Sequence, residues 1–146
     1  MKRILLVITM ASLFSACGSR SSDFNTGVEV TNPLPPCPDS PNCVRISQQY
    51  PQAIDAVWET TLSVLQAMRP YDIELSPDEY RINSVFLVVF FRDDMAVQLE
   101  EMDSTTTYLH IRSSSRVGYG DMGVNRRRVE DFLERMKKIE TKKEKK

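Results

Sequence analysis

The sequence is poor in the residues that most often build metal centres and catalytic relays. His110 is its single histidine, and its three cysteines are Cys17, Cys37 and Cys43. The five residues between Cys37 and Cys43 fit no common zinc knuckle, and one histidine leaves little to complete a tetrahedral site. No G-x-S-x-G, P-loop, H-E-x-x-H or S-x-x-K pattern occurs. No apolar run reaches the roughly 20 residues that a helix needs to cross a bilayer. Positive charge is not in excess: 19 Lys and Arg face 20 Asp and Glu, a formal charge of −1. A dedicated nucleic-acid binder shows a dominant basic face, so this balance argues against one. There is no internal repeat, and the length suits one domain.

What is present begins at the N-terminus. Met1-Lys2-Arg3 is a short basic start, Ile4 to Ala11 is a mainly apolar run, and Leu13-Phe14-Ser15-Ala16 leads to Cys17. A basic n-region, a short apolar h-region and a small-residue exit make residues 1–16 a secretory signal peptide. Ending on a cysteine, the segment resembles a bacterial lipoprotein lipobox. That resemblance implies acylation of Cys17, which then begins the mature chain. Gly18 stands where such lipoproteins often carry the Asp that retains them in the inner membrane, which implies the outer membrane, facing the periplasm. An ordinary signal cleaved after Ala16 would instead leave Cys17 as a free thiol. An odd cysteine count in a secreted protein argues against that, because acylating Cys17 leaves an even pair. In an oxidising compartment Cys37 and Cys43 are then expected to form a disulfide, with free thiols or a metal as the competing readings.

Residues 17–36 read as the lipidated start and a Gly-, Ser-, Asn- and Pro-rich tether. Residues 37–140 read as a single domain and 141–146 as a charged tail. From Pro51 to Arg69, Ile54, Val57, Trp58, Leu62, Leu65 and Met68 fall on one helical stripe, with Pro70 as a stop. Strands are expected at Asp72–Leu75, Tyr80–Phe91, Met95–Glu100 and Thr107–Arg112, with Arg92-Asp93-Asp94 and Glu101 to Thr105 as turns. Such short connections require antiparallel pairing. Val129, Phe132, Leu133 and Met136 mark a second amphipathic helix, for which Asp121 is a candidate N-cap. The order α-β-β-β-β-α predicts an α+β fold, an antiparallel sheet of about four strands with two helices packed on one face. From Met122 onward ten Lys or Arg face five Asp or Glu, whereas residues 18–121 hold seven against fifteen. A basic end of this kind suits an anionic surface such as lipid head groups, or is simply solvated.

The densest segment runs from Ser113 to Arg128. It contains a literal G-x-G-x-x-G at Gly118, Gly120 and Gly123, but no parallel strand follows to complete a dinucleotide fold, so no nucleotide cofactor is expected. A helix start with Arg116, Arg126 and Arg127 close in sequence nevertheless suits an anion or a partner. The candidate binding residues are Ser113, Ser115, Arg116, Gly118, Gly120, Asp121, Gly123, Asn125 and Arg126. The alternative is a structural loop, in which Arg116 pairs with Asp121 and the glycines permit a tight turn. His110 lies on the polar side of its strand with no nucleophile pattern nearby and is expected to face solvent. Asp93, Asp94, Glu100, Glu101 and Asp103 fall in expected turns, where carboxylates are normally hydrated.

Two motifs carry a specific resemblance. Cys37-Pro-x-Ser-Pro-Asn-Cys43-Val44, then Arg112-Ser-Ser-Ser-Arg116-Val-Gly118-Tyr-Gly-Asp121-Met-Gly123-Val-Asn125-Arg126-Arg-Arg128-Val129, resemble the bacterial Domain of Unknown Function family 1499 from Cys37 to about Met136. Arg45-Ile46-Ser47 stands where that family commonly has serines after Cys-Val. The resemblance implies no established activity. The expected function is a non-enzymatic envelope lipoprotein that binds or scaffolds an envelope protein or anionic lipid, without metal, cofactor or nucleic acid. The alternative is a small apolar-ligand module with a groove lined by Phe86, Val88 and Phe132.

Overall fold

A computed structural model describes residues 30–143, so the expected signal peptide and Cys17 lie outside the described residues. Cys43–Tyr50 forms strand β1, where Val44, Ile46 and Tyr50 send their side chains into the core. The helix α1, Ile54–Ala67, follows and buries Ile54, Val57, Thr61, Val64 and Leu65. It ends at Ala67, and Arg69 takes a left-handed conformation just before Pro70. Strand β2 is Asp72–Ser76; a single 3-10 turn, Pro77–Glu79, then leads into β3, Arg81–Val88. Strands β4, Phe91–Asp103, and β5, Thr106–Ser115, complete the sheet before helix α2, Val124–Lys143.

The five strands lie in the order β1-β5-β4-β3-β2, and every pair is antiparallel. The α+β class therefore holds, but the sheet has five strands rather than about four. The additional strand is β1. Its Arg45, Gln48 and Gln49 interrupt the apolar pattern, so no strand is expected there from the sequence. Pairing with β5 supplies the edge that makes it a strand. The two helices touch one another, and both touch β5. Met95, Val97 and Leu99 of β4, with Leu109 and Ile111 of β5, form the core with Phe132 and Met136 of α2.

One expected turn is displaced and another is shorter than expected. The run Val85–Phe91 does not continue as one strand. Val89 and Phe90 make a two-residue turn between Val88 and Phe91, which pair with each other. Arg92, Asp93 and Asp94 are consequently strand residues. The second hairpin turns at Ser104 and Thr105, inside the expected turn, because β4 continues to Asp103 with a register irregularity between Glu101 and Asp103.

The expected disulfide is present between Cys37 and Cys43. Contacts with the domain start before it. Leu34 is buried, the Asn32 side-chain amide donates to the Ile46 carbonyl, and Arg45 donates to the Asn32 carbonyl. In β1–β5 pairing, Cys43 faces Ser114 and Val44 faces Ser113. This single register brings together the two sequence motifs, some 70 residues apart in the chain.

Candidate functional site

The candidate site sits where the start of β1, the end of β5, the start of β4 and the first turn of α2 converge. Its centre is Arg128, a buried arginine whose importance the spacing of charges in the sequence does not reveal. From the first turns of α2 its guanidinium donates to Asp93 Oδ2 at 2.8 Å, to Asn125 Oδ1 at 2.7 Å and to Ser113 Oγ at 3.1 Å. It also lies 4.7 Å from the Phe86 ring centroid. Asp93 is 2% exposed, not hydrated as a turn position would be. A carboxylate taken out of water needs a counter-charge and hydrogen bonds, and Arg128 supplies both.

Asn125 extends the network. Its side-chain carbonyl accepts from Ser113 Oγ at 2.6 Å. Its amide donates to the Asn42 carbonyl at 3.2 Å, to Ser115 Oγ at 3.0 Å and to Asp121 Oδ2 at 2.8 Å. Asn42 reaches across to donate to the Gly118 carbonyl at 2.6 Å and accepts from Ser40 Oγ at 2.6 Å. The Cys-Pro-x-Ser-Pro-Asn-Cys segment and the glycine loop are thus one hydrogen-bonded unit. No periodicity in the sequence predicts that coupling, because it depends on the β1–β5 register.

Asp121 caps α2 as expected, although the helix starts three residues later. Its carboxylate accepts from the Gly123 and Asn125 backbone N–H groups at 2.9 and 2.7 Å. Burial disfavours its ionised form, but these hydrogen bonds prevail and hold its pKa below the usual carboxylate range. Asp121 does not pair with Arg116. Arg116 instead makes a bidentate contact with Asp94, at 2.7 to 3.0 Å, which raises its already high pKa. Gly118 and Gly123 have φ of +87° and +76°, a region that side chains with a Cβ rarely adopt, so here the glycines are required by the turn. Arg126 lies on the following turn, half-buried, and Arg127 donates to the Met122 carbonyl.

Above this polar base lies a pocket of about 330 Å³ between the sheet end and the start of α2. Val88, Phe91, Val117, Met122 and Val124 make its apolar walls, and Asp93, Ser115 and Asp121 lie at its polar side. The structure therefore brings together Ser113, Ser115, Gly118, Gly120, Asp121, Gly123 and Asn125, while Arg116 points to Asp94. The expected groove lining differs: Val88 lines the pocket, whereas Phe86 and Phe132 are buried in the core.

His110 is a clear correction. It is 0% exposed, lying where β5 meets β1, rather than facing solvent. Its Nδ1 lies 2.8 Å from Ser47 Oγ and its Nε2 lies 3.3 Å from Glu100 Oε2. Burial lowers its pKa, and the Glu100 carboxylate works in the opposite direction. Ser47 Oγ also accepts from the Asn32 amide at 3.1 Å. The serine and carboxylate neighbours come from β1 and β4, so the sequence around His110 gives no sign of them. Among the described residues, no group of three or more His, Cys, Asp or Glu side chains is placed to hold a metal ion. No described helix is long and apolar enough to cross a membrane.

No curated protein matches the chain. Among solved structures, it is similar to the di-domain ARO/CYC BexL from the BE-7585A biosynthetic pathway, with 12% identity and a TM-score of 0.45. That similarity covers 70% of this chain and 43% of the other, so this chain spans less than half of that protein. A conserved protein from Geobacillus kaustophilus is similar at 12% identity and a TM-score of 0.35, over 66% of this chain and 93% of the other. A family model described as Protein of unknown function (DUF1499) matches residues 33–136, spanning both hydrogen-bonded motifs, and the chain belongs to that family.

Proposed function

We propose that this protein is a bacterial envelope lipoprotein, acylated on Cys17 after removal of residues 1–16 and held at the outer membrane facing the periplasm. Its domain is a non-enzymatic binding module, and the loop from Ser113 to Arg128 is its contact surface. The observation that carries this reading is the pocket behind that loop, whose apolar walls stand over polar groups already engaged with one another. A site whose charges are satisfied internally offers hydrophobic surface rather than reactive groups. The Ser47–His110 pair does not weigh towards catalysis. Both residues are buried, and the serine oxygen accepts a hydrogen bond from the Asn32 amide. Both helices are taken to cover the same face of the sheet, a reading supported by the contact of each with β5.

The same pocket favours a second reading, in which the bound group is a small apolar molecule or acyl chain. Gly120 lines the pocket, and a Cβ there would meet only Pro41, at an ordinary 3.9 Å. Gly120→Leu should therefore fill the space without unfolding the loop. Mass spectrometry of lipid extracted from the purified protein should find an apolar molecule that this variant loses. Equal recovery from both proteins would overturn the ligand reading. For the anchor, Cys17→Ser should move the protein from the membrane fraction to the soluble periplasmic fraction after a salt wash. Retention in washed membranes would overturn the lipoprotein assignment.

A further inference from the structure

The turn between β3 and β4 is built against the usual rules of hairpin chemistry. Two-residue turns favour Gly, Asn or Asp because they need a positive φ. Here the positions are Val89 and Phe90, and Val89 has a φ of +59°. A β-branched residue in that region is strained, so neither folding nor solubility explains the choice. Both side chains also stand in water: Val89 is 80% and Phe90 91% exposed. Phe91 is exposed as well and faces Val117 and Met122 across the pocket, with Met122 93% exposed and Tyr119 on the same loop. A contiguous apolar surface at one end of a small domain marks an interaction site.

We propose that this end of the sheet seats on the surface of an anionic bilayer, with Val89 and Phe90 as the inserting tip. Two observations favour a bilayer over a protein partner. The first is charge. Arg92 lies next to the tip and Arg127 sits beside Met122, while Arg116 on the adjoining loop is paired with Asp94. Asp72, Asp93, Asp94 and Asp121 also lie near this end, but Asp93 is paired with Arg128, Asp94 with Arg116, and Asp121 accepts from the start of α2. Arginines around an apolar tip suit the phosphate level of a membrane while their stems lie on the hydrocarbon boundary. The second is reach, which rests on the Cys17 anchor proposed above. The described chain begins beside Ile46, because Asn32 bonds to its carbonyl. Ile46 is about 10 Å along β1 from Cys43, the row of Cys43 meets β4 at Asp94, about 13 Å short of Phe90, and three strand spacings of about 4.8 Å lead from β1 to β3. From Cys17 to Val30 is 13 residue steps, a reach of at most about 45 Å. An acyl group on Cys17 and the hairpin tip can therefore occupy one bilayer surface.

The test uses the unacylated mature chain carrying Cys17→Ser, with vesicles of phosphatidylglycerol and phosphatidylethanolamine or of phosphatidylcholine alone. The chain should sediment with the anionic vesicles, weaken as salt rises, and bind phosphatidylcholine at least tenfold less. Phe90→Asp should lose at least tenfold in binding while keeping its melting temperature, since that side chain packs against little. Met102→Asp, at another exposed apolar site near the opposite end of β4, should bind like the parent. Phe90→Trp should show a blue-shifted emission with anionic vesicles only. Absence of sedimentation by the parent, or equal losses in Phe90→Asp and Met102→Asp, would overturn the proposal. So would a Phe90-dependent protein cross-link without vesicle binding, which would place a protein at this surface. The anchor is judged separately: acylated Phe90→Asp stays in salt-washed membranes when the lipid is present, whatever the vesicle result.

Discussion

Arg128 is the residue whose loss the domain should tolerate least. Arg128→Ala leaves the buried Asp93 carboxylate without its counter-charge, and strips a donor from Asn125 Oδ1 and from Ser113 Oγ. Removing one member of a buried ion pair costs about 3–5 kcal/mol, and urea unfolding should register a loss of that size. An exposed pair such as Arg135–Asp131 should contribute well under about 1 kcal/mol by comparison. His110 makes a pH prediction. Its folded pKa is lowered, mainly by burial, so the unfolded chain binds a proton that the folded chain refuses. Stability should then be complete above the unfolded value of about 6.5 and fall as the pH drops below it. His110→Gln should flatten that slope between about pH 6.5 and 5 in thermal melts; an unchanged slope would contradict the assignment. Neither role is legible from one sequence. The charge that Arg128 neutralises is 35 positions away, and the hydroxyl facing His110 is 63 positions away.

At the scale of elements, α1 and α2 were readable because a 3.6-residue stripe is a local property, complete within each segment. Strand β1 was not, since an edge strand with glutamines owes its conformation to a partner that the local pattern does not contain. The β3–β4 turn misled for a related reason. A run of seven apolar residues, Val85 to Phe91, reads as buried strand until the pairing of Val88 with Phe91 shows that the chain reverses within it. Val89→Gly tests the strain in that turn. Relief of a positive φ is worth about 1–3 kcal/mol, less the flexibility that glycine adds to the unfolded chain. A net gain of about 1 kcal/mol in unfolding free energy is expected. A loss would mean that Val89 packs usefully in the folded domain.

For the whole molecule, the Cys37–Cys43 bridge holds the incoming segment against the start of β1, directly beside the Asn42–Gly118 contact. The chain-entropy effect of so small a loop is about 2.4 kcal/mol. Replacing both cysteines by serine should lower global stability by about that amount in denaturant titration, with the cooperative transition retained. A two-step transition would instead show that the glycine loop unfolds by itself once the bridge is gone. The sequence alone determined the helices, the antiparallel α+β class, the cysteine pairing and the family, because periodicity, short connections, cysteine arithmetic and fixed motifs are encoded along the chain. Only the tertiary structure decided that Asp93 and His110 are buried, that Asn42 and Asn125 join the two motifs, and that an apolar tip stands beside the glycine loop. Those features arise from strand register, which brings distant residues within hydrogen-bonding distance and leaves no mark on the spacing of either segment.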